Sequence, residues 1–70
     1  MTLHEAIQQI LRENNRAMSS IEITQALNEQ NLYQRGDDGD IPNFQVDLRV
    51  RKYLNIFLIT NDKISLVEWR

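Results

Sequence analysis

The 70-residue sequence predicts one α+β domain, residues 1–70, with three helices followed by a C-terminal β-hairpin. Three observations carry this expectation. Thr2 with Glu5, and Ser19 with Glu22, each have capping-box spacing just ahead of an apolar stripe. Ile41-Pro42 opens a third helical stretch after a loop rich in glycine and aspartate. Near the C-terminus, β-branched and aromatic runs flank Asn61-Asp62.

The first helix is expected from Thr2 to Asn14. Leu3, Ala6, Ile7, Ile10 and Leu11 recur at helical spacing and form one stripe. The Thr2 hydroxyl can accept from the Glu5 N–H, and the Glu5 carboxylate can reach back to the Thr2 N–H. Asn14-Asn15 suits the end of the helix, because asparagine tolerates the left-handed conformation of a C-cap. Arg16 to Met18 reads as a short extended link. Ser19 and Glu22 then repeat the capping device for a second helix running to about Asn31. Ile23, Ala26 and Leu27 share its apolar face, with Ile21 near the edge.

Leu32 to Asp40 breaks both periodicities and reads as a loop. The third helix starts near Pro42, where a missing N–H costs nothing. Its inward row is Val46, Val50 and Leu54, with Tyr53 beside it. Ile56 to Thr60 and Ile64 to Trp69 read as strands, and Asn61-Asp62 as the turn between them. Helix, extended link, helix, loop, helix, hairpin is the order of a winged helix-turn-helix.

Composition narrows the function classes. At 41% hydrophobic and 26% charged residues, the chain has the make-up of an ordinary folded domain rather than a disordered one. No apolar run approaches the roughly 20 residues a membrane helix needs. The N-terminus lacks the pattern of a signal peptide. With no cysteine in so small a chain, a reducing cytoplasm is the expected compartment, and zinc fingers and thiol chemistry are excluded. A net charge of −2 is unfavourable for nucleic-acid binding, but the charge is polarised. Acids lie early and centrally, whereas Arg49, Arg51, Lys52, Lys63 and Arg70 lie late.

The segments RAMSSIEITQALNEQNLY, IPNFQVDLRVRKYL and FLITNDKISL together resemble the HARE-HTH winged-helix family. The matching features are Met18-Ser19, Glu22-Ile23, Ile41-Pro42, Phe57, and Lys63-Ile64 with Leu66. Two positions depart from the family pattern. Ile41 stands where a threonine is usual, which loses a cap hydroxyl, and Asn61-Asp62 replaces the usual glycine of the wing. The resemblance implies a non-enzymatic DNA-binding module of chromatin or of restriction and modification systems. Because the family includes the N-terminal domain of the bacterial RNA polymerase delta subunit, it also implies binding to transcription machinery.

The candidate nucleic-acid residues are Gln45, Arg49, Arg51, Lys52 and Lys63. Gln45, Arg49 and Lys52 share a face of the third helix away from the Val46–Val50 row. There, arginine could pair with guanine, glutamine with adenine, and lysine with phosphate. The competing account is that these residues simply solvate an exposed face. Arg51 is placed to pair with Asp47 at i, i+4. Lys63, at the hairpin tip, either reaches a phosphate or stays a solvated turn lysine. Phe44 and Leu48 form a second apolar pair on the third helix. Burial is expected for them, and otherwise they form a partner or homodimer surface together with Trp69. Trp69 is expected to pack on the first helix.

No catalytic, cofactor or metal site is expected. Asp37, Asp38 and Asp40 fail calcium-loop spacing. A loop starting at Asp37 would put Gly39 where a ligand belongs, Pro42 where a glycine belongs, and Leu48 where a glutamate belongs. His4 is the only histidine and has no second ligand. The leading expectation is a module that binds double-stranded DNA. The alternative is a winged helix that binds protein without touching DNA.

Overall fold

The computed structural model describes residues 2–32 and 41–69. The expected loop and its three aspartates fall almost entirely outside them. The element order is α1 (Leu3–Asn14), α2 (Ser20–Gln30), α3 (Asn43–Lys52), β1 (Phe57–Thr60) and β2 (Lys63–Leu66), with a closing 3-10 turn at Val67–Trp69. Three helices followed by an antiparallel hairpin make the α+β winged-helix layout.

Both capping boxes form. The Glu5 N–H donates to Thr2 Oγ1 at 3.3 Å, and the Thr2 N–H donates to Glu5 Oε1 at 2.8 Å. At α2 the reciprocal distances are 3.2 Å and 3.1 Å between Ser19 and Glu22. Each box satisfies two backbone donors that the helix cannot. Asn15 and Asn31 end their helices in the left-handed region, both at φ 53°, a conformation that asparagine adopts more cheaply than most residues.

α3 starts differently. Pro42 is its N-cap, with extended backbone and no side-chain hydrogen bond. The helix entry is held from outside by Asn28 of α2. Its Oδ1 accepts from the Ile41 N–H at 3.0 Å, and its Nδ2 donates to the Ile41 carbonyl at 3.2 Å. This clamp sets where the chain returns to the body and seats Ile41 in the core.

The core is one cluster. The full predicted stripe of α1 is buried, with Met18, Ile23, Leu27, Ile41, Val46, Val50, Phe57, Ile64 and Leu66 around it. Among the described residues, Thr24 is the one buried polar side chain, and its hydroxyl donates to the Ser20 carbonyl at 2.7 Å. That bond removes the cost of burying it.

The extended link does more than connect. Met18 pairs with Ile64 as an antiparallel bridge, with N–H to carbonyl distances of 3.0 Å and 2.7 Å. It therefore covers the β2 edge that β1 leaves open. In the hairpin Thr60 faces Lys63 and Phe57 faces Leu66. The two-residue turn has φ 50° at Asn61 and 64° at Asp62, the positive-φ pair of a type I′ turn, whose twist matches the strands.

Three expectations need correction. Leu54 does not extend the Val46–Val50 row. α3 stops at Lys52, and Tyr53 leaves helical geometry at φ −126°, ψ 52°, so the helical register is lost and Leu54 is 60% exposed. The second strand ends at Leu66 rather than Trp69. There the Val67 N–H closes the hairpin base by donating to the Ile56 carbonyl, and the chain turns into 3-10 geometry. Phe44 and Leu48 are not buried, being 57% and 56% exposed. Among the described residues, no helix is long and apolar enough to cross a membrane.

The turn geometry gives a stability prediction. Glycine has no Cβ to clash at positive φ, so Asp62→Gly should raise the thermal midpoint by roughly 2–6 °C. Asp62→Val should lower it, because β-branching disfavours that region. Melting monitored by far-UV circular dichroism checks both. A midpoint unmoved by either change would mean the turn does not hold this geometry in solution.

Candidate nucleic-acid interface

α3 advances by roughly 100° per residue, so Val46 and Val50 define an inward side. Opposite them, the crest facing solvent consists of Phe44 and Leu48. Gln45, Arg49 and Lys52 lie on one flank, with Lys52 exposed and the other two half-buried. Asp47 and Arg51 lie on the other flank. The expected polar face therefore exists, but as a flank, and the crest between the two flanks is apolar.

The charges of the domain sort into two groups. Arg12 of α1 binds Glu68 at 2.8 Å and holds the C-terminal turn on that helix. Arg16 and Lys63 both reach Glu22, each at 3.2 Å. Among the described residues, Arg49, Arg51 and Lys52 make no ion pair. The i, i+4 pair expected between Asp47 and Arg51 is not formed. Both side chains instead line a groove of about 330 Å³. The start of α2 (Ser19, Ser20 and Ile21) and the hairpin residues Ile59, Asp62 and Ile64 form the rest of its wall.

Lys63 lies at the hairpin tip, as expected, and donates to Glu22 Oε1. A phosphate would have to compete with that carboxylate for it. Glu22 is thus a junction that sequence reading missed. Its carboxylate accepts from the Ser19 N–H, from Lys63 and from Arg16. These bonds lower its pKa from 4.5 to about 2, with the Ser19 backbone contributing most and the Lys63 hydrogen bond next. The cap half of this role was visible in the Ser19 and Glu22 spacing. The link to Lys63 crosses 41 positions and left no local signal.

The remaining singled-out residues have structural partners. The His4 ring stacks on Tyr53 with centroids 4.1 Å apart, joining the first turn of α1 to the end of α3. Tyr53 also accepts from the Ile56 and Phe57 N–H groups through its carbonyl, which turns the chain into β1. Trp69, expected to pack, remains 37% exposed beside the Arg12–Glu68 bridge. Asp37, Asp38 and Asp40 lie outside the described residues.

The Glu22 junction makes acid stability testable. A carboxylate with a lowered folded pKa stabilises the fold above its unfolded pKa, and the contribution fades as pH falls toward the folded one. For Glu22 that window runs from 4.5 down to about 2. Wild type should exceed Glu22→Gln in urea midpoint near neutral pH, and the gap should close as pH approaches 2. Glu5, lowered by its bond from Thr2, keeps a residual acid dependence in the variant. A constant gap across this range would show that Glu22 stabilises the fold by packing and not by charge.

Comparison with protein-family models, with curated proteins and with solved structures found no match.

Proposed function

We propose that this chain is a non-enzymatic winged-helix module of the cytoplasm that binds double-stranded DNA through α3 and the hairpin. One observation supports this reading above the others. Of the six described basic side chains, the three outside α3 are paired with carboxylates, and the three on α3 are not. Among the described residues, binding phosphate through Arg49, Arg51 and Lys52 breaks no ion pair, so their electrostatic gain goes to the complex. Lys63 is a reserve contact, since it must first exchange Glu22 for phosphate. Gln45, half-buried on the same flank as Arg49, is the candidate for reading a base edge. The HARE-HTH resemblance points the same way.

So few phosphate contacts limit affinity. Neutralising about three phosphates gives a log–log salt slope near −2.7, or a loss of roughly 40-fold between 50 and 200 mM salt. A single copy would therefore bind weakly and with little sequence preference.

A second reading, a winged helix that binds protein, draws support from the exposed Phe44–Leu48 crest, an arrangement that phosphate contact does not require.

Fluorescence anisotropy on a labelled duplex separates the two. Wild type should bind at low salt with the slope above. Arg49→Ala combined with Lys52→Ala should weaken binding and reduce the slope by about 2. No binding at 50 mM salt, or an affinity unchanged by the double substitution, would remove the DNA reading.

A further inference from the structure

We infer that the outward face of α3 is a self-association surface on which a second copy of this chain packs its own α3 antiparallel. Phe44 and Leu48 form the crest, and Leu54 stands exposed just past the helix end. Nothing in the described chain covers them. Apolar exposure alone does not name an occupant, but the flanking charges do.

Asp47 and Arg51 share one flank, carry opposite charges at i, i+4, and do not pair with each other. In an antiparallel helix pair related by a two-fold axis, the same flank of each helix meets across the seam, and residues equally far from the axis face each other. With the axis at Arg49, Asp47 of one copy faces Arg51 of the other, and symmetry repeats the pair. The same register brings the two Leu48 side chains close to the axis. One placement thus serves both the Leu48 contact and the charges. A generic apolar partner would match only the first.

The other flank limits strength. It brings Lys52 and Arg49 of the two copies to the same side, where they repel. Arg49 lies further round toward the domain body, which moderates the effect. A single helix face also sits at the small end of specific interfaces, below about 1,200 Å² in total. The association is therefore weak and concentration-dependent. Because Arg51 and Lys52 border the seam, a self-associated copy withholds them from phosphate, and the two occupancies exclude one another.

Sedimentation velocity of the full chain, from about 10 μM to about 1 mM, should show a reversible monomer–dimer equilibrium. Phe44→Ser with Leu48→Ser should abolish it while the circular dichroism spectrum stays unchanged, since both side chains are already in water. Asp47→Arg and Arg51→Asp should each weaken the dimer by about tenfold or more, because each turns two attractions into repulsions. The combined swap should restore it to within a few-fold of wild type. A chain that is monomeric throughout overturns the proposal. So does a dimer indifferent to the single charge changes, or one that the combined swap fails to restore. No DNA is present in these measurements, so failure here leaves the DNA reading standing, and failure of the DNA titration leaves this surface standing.

Discussion

A chain of 70 residues can cover each of its elements on one side only. That constraint shapes everything else in this domain. α1 takes the centre of the core and buries five side chains. α3 buries only two, Val46 and Val50. Among the described residues, no element packs over its outward side. Phe44 and Leu48 are exposed for this reason rather than through any local irregularity of the helix.

With so little core, the ends of the elements have to be held by hydrogen bonds. Thr2 and Ser19 fix the starts of α1 and α2, Asn15 and Asn31 their ends, and Asn28 the entry to α3. The Met18–Ile64 bridge then joins the link before α2 to the hairpin. Glu22 reinforces the same junction from the surface, between a helix cap and Lys63. Each such contact is small by itself. Together they fix the angle between α2, α3 and the hairpin, and so the shape of the groove that Asp47 and Arg51 line.

The parts of this architecture legible in the sequence are those whose cause is local. A capping box needs residues three apart, an amphipathic stripe needs a turn or two of spacing, and a tight hairpin needs two residues that tolerate positive φ. All of these were readable at Thr2, Ser19, the α1 stripe and Asn61-Asp62. What was not readable depends on distant chain. The grip of Asn28 on Ile41 spans 13 positions, and that of Lys63 on Glu22 spans 41. Periodicity also misplaced Leu54, because it extends a helix until something stops it, and Tyr53 stops α3 through backbone bonds to Ile56 and Phe57. For Phe44 and Leu48 the spacing indicates a second apolar row but not whether anything covers it. Two apolar rows on one helix imply two neighbours only if the chain is long enough to supply the second.

The candidate site inherits this tension. On α3, charge and apolar surface alternate around one short cylinder, so no ligand can use one without meeting the other. A phosphate backbone approaching Arg51 and Lys52 must pass over Phe44 and Leu48, whose desolvation favours binding only where the ligand offers apolar surface in return. Base edges in a major groove offer little beyond thymine methyl groups. A protein surface offers more, but must then accommodate three cations that pair with no carboxylate among the described residues. The relative weight of these terms depends on ionic strength, because salt screens the cations and leaves apolar burial intact or strengthened. Under the proposed readings, low salt would therefore favour the cationic use of α3, and high salt its apolar use.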